Sequence, residues 1–141
     1  MKTVAAVLRA VTAERPYGKS RPMQLEEVEL GAPRAGELLV RIEAAGVCHS
    51  DISVVDGSRV RPLPMALGHE AAGVVEEVGP GVRDVKAGDH VVLTFVPSCG
   101  ICPECASGRP ALCTPAAAVN GAGTLLHGPS LLTGRDGKPI A

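Results

Sequence analysis

The chain has 141 residues, enough for one domain whose hydrophobic core needs no covalent staples. Its 14 basic and 15 acidic side chains leave a net charge of -1, and it carries one Tyr, one Phe and no Trp, so there is neither a basic face nor a set of rings on which nucleic acid would dock. No apolar run approaches the ~20 residues of a membrane-spanning helix, which argues against a membrane partner.

The opening "MKTVAAVLRAVTAERPYGK" is apolar only briefly: Arg9 interrupts it and no small-residue cleavage site follows, so it does not read as a signal peptide. From "KTVAAVLRA" onward the chain is a series of short strand-like runs. "QLEEVEL" (24–30) and "ELLVRIEA" (37–44) alternate apolar and polar residues, and "AGVVEEV" (72–78) and "HVVLTF" (90–95) are rich in valine. Turn chemistry separates them in "GAPRAGE", "DGSRVRPLPMALG" and "GPGVRDVKAGD". This predicts a mainly β fold, an antiparallel barrel or sandwich with no long helix before residue 95 and a core of Val, Leu, Ile and Ala. After Phe95 a loop-like lobe begins. Beyond Cys113, "TPAAAVNGAGTLLHGPSLLTGRDGKPIA" shows no periodicity and reads as an unfinished connection.

The lobe holds four of the five cysteines, at 99, 102, 105 and 113. Thiols two residues apart converge on one point when the backbone turns, and Gly100, Pro103 and Gly108 suit such turning. Four thiolates around a tetrahedral Zn²⁺ leave no open position, which makes the expected site structural. An iron–sulfur cluster is the sharper rival, but its bacterial run has the fourth cysteine three residues on, followed by proline; here the gap is seven and Thr114 intervenes. An odd number of thiols with no export signal favours a reducing compartment, the cytoplasm, over a disulfide framework.

The fifth cysteine lies in "GVCHSD" (46–51), and "GHEAAGVVEEVGPGV" (68–82) follows. Alone, Cys48 reads as a small buried hydrophobe and His69 as a structural histidine. Each, however, has a carboxylate close by in sequence, Asp51 and Glu70, and an acid on a histidine ring is the usual device that orients a metal ligand.

These residues resemble a known family. "GHEAAGVVEEVGPGV" follows the signature of the zinc-containing alcohol dehydrogenases, and "GVCHSD" and the four-cysteine lobe resemble the other landmarks of the medium-chain enzymes. The resemblance implies a GroES-like, partly open β-barrel over residues 1–141, with a structural zinc lobe at 96–116 bound by Cys99, Cys102, Cys105 and Cys113. It implies a catalytic zinc on Cys48 and His69, with Glu70 close enough to exchange onto the metal and Asp51 orienting the histidine. Ser50 matches the hydroxyl residue that begins proton release, His49 a position near the cofactor pyrophosphate, and Phe95 either a substrate-pocket position or plain core. The implied activity is oxidation of a small alcohol to an aldehyde or ketone with hydride transfer to NAD or NADP, in an enzyme that forms homo-oligomers.

Three departures stand out. The family's further cysteine ligand to the catalytic zinc lies downstream, and all five cysteines here are assigned. Ser53 occupies a place where some members carry the relay histidine. No Gly-x-Gly-x-x-Gly turn is present, so the nucleotide-binding domain is expected to lie outside these residues, and the chain by itself to be the N-terminal portion of a longer enzyme, with negligible dehydrogenase activity. A non-catalytic zinc-binding or interaction module is the alternative, and a co-chaperonin a weaker one, sharing fold alone. His90 and His127 read as ordinary residues.

Overall fold

The computed structural model describes residues 1–141. The alternating runs form two antiparallel sheets. In the first, β1 (Lys2–Leu8) pairs along its length with β2 (Met23–Leu30), Lys2 opposite Glu29 and Leu8 opposite Met23. The short α1 (Tyr17–Ser20) lies in the connection. The second sheet is built from β3 (Leu38–Gly46), β5 (Glu70–Val78) and β6 (His90–Leu93), with β5 in the middle. Its register runs from Leu38 opposite Val78 to Gly46 opposite Glu70, with slips after Leu39 and after Ile42. Between β3 and β5 the chain forms α2 (His49–Val55) and β4 (Met65–Ala66), which adds to the outer edge of β1.

The core is thin and aliphatic, as the shortage of aromatics dictates. Val7, Val28 and Ile140 form one cluster; Leu8, Val54 and Val55 form another, with Tyr17, Met23, Leu63 and Leu67 packed around it. Through Val54 and Val55, α2 is anchored to the first sheet, which fixes the side chains of its first turn. No helix is long and apolar enough to cross a membrane.

The structure corrects the reading of the last segment. Residues 114–141 are not without regular structure: α3 (Pro103–Ala106) within the lobe is followed by α4 (Thr114–Ala122), then β7 (Leu132–Thr133) and β8 (Pro139–Ile140). α4 has proline in its first turn and Gly123 in the left-handed conformation just past its end, both ordinary helix punctuation. It escapes a search for periodicity because alanine supplies helix propensity without an apolar stripe; Ala116 is its one buried residue. β7 and β8 extend the first sheet beyond β2, giving the order β4-β1-β2-β7-β8, and deliver Ile140 to the core. Strands of two residues have no pattern of their own and exist through their partners.

Candidate metal centres

Because Gly46 faces Glu70 across the second sheet, the chain leaving β3 and the chain entering β5 meet at one end of the ladder. Cys48 and His69 therefore become neighbours. Asp51, in the first turn of α2, is 4% exposed and binds both: Oδ2 accepts the Cys48 N–H at 3.0 Å and Oδ1 accepts from His69 Nδ1 at 3.1 Å. An anionic acceptor at Nδ1 keeps the ring proton there and leaves the Nε2 lone pair free to bind a metal. Ser50 Oγ lies 3.3 Å from Nε2, and Phe95 meets the ring edge-on at a centroid distance of 5.7 Å.

One donor atom each from Cys48, His69 and Glu70 falls within 4.8 Å of the others. Sulfur, nitrogen and oxygen donors are the set that zinc accepts, at about 2.0–2.3 Å, and three protein ligands with one open position is the arrangement of a catalytic site. Asp51 is the acid that orients His69, whereas Glu70 joins the donors. The three residues line a cleft of about 270 Å³, with Val54, Met65, Leu67 and Phe95 as its apolar wall.

Hydrogen bonds from Ser50, then from His69, hold the Cys48 thiol below its ordinary range. Burial, the largest influence on His69, disfavours its charge, but hydrogen bonds to Cys48 and Asp51 and their negative charge outweigh it and raise its pKa. The two shifts run in opposite directions, each group favouring the charged form of the other. A metal ion competes with protons for these donors.

In the lobe, the four cysteine sulfurs also lie within 4.8 Å of one another. Cys102 Sγ and Cys113 Sγ are 3.8 Å apart, the edge of a tetrahedron whose centre-to-sulfur distance is about 2.3 Å. The Cys99 N–H points at Cys113 Sγ and the Cys102 N–H at Cys99 Sγ, both at 3.3 Å. The N–H groups of Ile101 and Cys102 lower the Cys99 thiol to about 6. At Cys102 the N–H of Cys105 pulls the same way, but burial and hydrogen bonds to Glu104, Cys105 and Cys99 prevail and push that thiol up to about 12. All five cysteines are free of disulfides. The donor set and its spacing fit zinc.

Residues 34–131 match the alcohol dehydrogenase GroES-like domain. The chain belongs to this family. The GroES-like domain described here is 50% identical over 113 residues to the NDMA-dependent alcohol dehydrogenase of Amycolatopsis methanolica, a match covering 80% of this chain and 28% of that protein. Among solved structures, an alcohol dehydrogenase zinc-binding domain protein from Burkholderia ambifaria matches with a TM-score of 0.86 at 44% identity, over 99% of this chain and 35% of that one. A thermostable alcohol dehydrogenase from Pyrobaculum aerophilum, solved with cobalt and zinc bound, matches with a TM-score of 0.69 at 36% identity, over 82% of this chain and 33% of that one. The chain spans about a third of the length of the curated relatives it matches. The expected GroES-like, mainly β fold is the one observed.

The structure also places the residues whose reading in the sequence was open or bland. Phe95 is 54% exposed and lines the cleft, so it is not core. Ser53 Oγ donates to the His49 carbonyl at 3.3 Å and reaches no donor of the metal set. His127 packs its ring against Gly36, far in sequence from the donors. The cleft also contains Arg59 and Arg61, which the motifs did not single out. Their spacing from Cys48 carries no recognisable signature; only the path of the loop after α2 brings them there.

Proposed function

We propose that this domain is the zinc-bearing, substrate-binding part of a nicotinamide-dependent alcohol dehydrogenase. The reading is carried by one observation: a single buried carboxylate, Asp51, ties Cys48 and His69 into one donor set that Glu70 completes. The Cys99–Cys102–Cys105–Cys113 set is the structural site of the lobe at 96–116.

An ion bound by Cys48, His69 and Glu70 would supply Lewis-acid stabilisation of negative charge on an alcohol oxygen, and NAD or NADP would supply the hydride acceptor. The residues of the chain bind, orient and move the proton. Ser50, beside His69 Nε2, hydrogen-bonds the substrate hydroxyl and takes its proton as charge develops. Asp51 keeps the imidazole proton on Nδ1, so His69 does not compete for that role. Val54, Met65, Leu67 and Phe95 cover the carbon chain and thin out the water around the reacting carbon. His49 is exposed at the start of α2, where an imidazole suits the cofactor pyrophosphate. A cytoplasmic enzyme acting on small alcohols or aldehydes agrees with five unpaired thiols and with the cleft volume.

Metal content tests the reading. The zinc-loaded chain is expected to hold two ions per molecule by elemental analysis, one lost in Cys48→Ser and the other in Cys99→Ser. A single ion, lost in Cys99→Ser and retained in Cys48→Ser, would identify a non-catalytic structural module instead.

A further inference from the structure

The cleft that holds the donor set also holds two cationic side chains with no anion to meet. Arg59 and Arg61, on the loop after α2, both line it. Elsewhere in the molecule arginines grip carboxylates: Arg9 holds Glu26 through Nε and Nη2, and Arg34 holds Glu37 the same way. Arg59 and Arg61 form no ion pair. The two acids in the cleft are committed, Asp51 to Cys48 and His69, and Glu70 to the metal donors. Arg61 Nη1 donates to the Asn120 carbonyl at 3.0 Å, which steadies the guanidinium against α4 and leaves its other N–H groups free. The Arg59 guanidinium donates to nothing in the protein, while its backbone is fixed by the Arg59 N–H to the Ser53 carbonyl at 2.8 Å.

A guanidinium stays charged at any working pH and offers a planar fork that matches a carboxylate in two parallel hydrogen bonds. A cleft of about 270 Å³ sits near the small end of ligand pockets, so whatever reaches both the donor set and the arginines is short. We propose that Arg59 and Arg61 are specificity-determining residues that bind a carboxylate at the far end of the substrate, so that the cleft selects small hydroxy acids, or the corresponding oxo acids, over neutral alcohols. This rests on the cleft being the substrate site proposed above.

The test is a binding titration followed by NMR on the zinc-loaded chain, observing the Arg59 and Arg61 Nε–H signals, with 4-hydroxybutanoate, 1-butanol and butanoate as probes. 4-Hydroxybutanoate is expected to bind about tenfold or more tightly than 1-butanol, the value of one charge-assisted pair, and to shift both arginine signals. Arg59→Gln and Arg61→Gln are each expected to move that ratio toward one; Arg59, whose side chain holds nothing in the protein, decides the matter if loss of the Asn120 contact unfolds the other variant. Equal affinities in the unaltered chain, or a preference that survives both substitutions, would overturn the inference and leave the dehydrogenase reading intact. So would arginine signals that move with inorganic pyrophosphate and not with butanoate, which would assign the pair to the cofactor. If butanoate and 4-hydroxybutanoate bind through the arginines while 1-butanol does not bind and the Cys48 set takes no zinc, carboxylate recognition stands and the dehydrogenase reading fails.

Discussion

At the scale of single residues, Asp51 organises the cleft. It is almost fully buried, and a buried carboxylate is tolerable because both oxygens accept hydrogen bonds, one from the Cys48 backbone and one from His69. Its charge helps raise the His69 pKa, so the metal-free ring keeps its second proton to higher pH than a free histidine. Metal loading must release that proton and therefore weakens as pH falls through the raised value. Asp51→Asn removes the anionic acceptor. At pH 8 zinc affinity at this site is expected to drop by about 10–100-fold, the usual cost of losing a ligand's supporting acid. The pH at which loading fails should shift downward at the same time, since the imidazolium has lost its partner. Competition against a chromophoric chelator across a pH series reads both effects. A variant with unchanged affinity and midpoint would show that Asp51 merely braces α2.

At the scale of elements, the site depends on how closely β3 and β5 approach. Gly73 faces the Arg41 backbone across this ladder so tightly that a Cβ would overlap the Arg41 carbonyl, and it lies where the register slips after Ile42. Gly79, just past β5, is as crowded: a Cβ there would run into the Arg34 carbonyl, while its own N–H donates to the Glu37 carbonyl at 2.8 Å. Backbone on both sides cannot yield as a side-chain tip can. Gly79→Ala is expected to destabilise the chain by about 2–3 kcal/mol, seen as a lowered thermal midpoint. Gly81→Ala makes the contrast, because that glycine has open space around it and only its φ of +83° opposes a side chain, at a cost of about 1 kcal/mol. Equal losses in the two variants would mean that close approach at Gly79 does not fix the β3–β5 register.

At the scale of the whole molecule, two kinds of cohesion coexist. The first sheet with α2 holds the small aliphatic clusters, whereas the cysteine lobe leaves Ile101 88% and Leu112 62% exposed and buries little besides Cys113. A lobe with so little core would gain its order from the metal proposed for its four thiols, an interaction worth roughly 10–16 kcal/mol at structural zinc sites in small peptides. Removing zinc with a chelator is therefore expected to abolish hydrogen-exchange protection first at Ala106, Ser107 and Gly108, whose N–H groups bond to the carbonyls of Cys102, Pro103 and Cys105. Amides of the β1–β2 ladder should keep theirs. Simultaneous loss in both regions would mean that the lobe and the sheets unfold as one unit.

The sequence alone determined the long strands β1, β2, β3, β5 and β6, because alternation with period two survives in any context where one face is buried, and it pointed to the four-thiol lobe, because those cysteines are local and their spacing suits one metal ion. It also pointed to Cys48, Asp51, His69 and Glu70, through motifs that carry their residues a few positions apart. The tertiary structure alone decided that Asp51 holds both donors while Glu70 joins them, since that depends on the register placing Gly46 opposite Glu70. It decided that residues 114–141 fold into a helix and two strands, whose alanines and two-residue pairings carry no period. It placed Arg59 and Arg61 in the cleft that Cys48, His69 and Glu70 line as well. Local spacing encodes what neighbours along the chain do to each other; which distant side chains share one cleft is settled by strand pairing and packing.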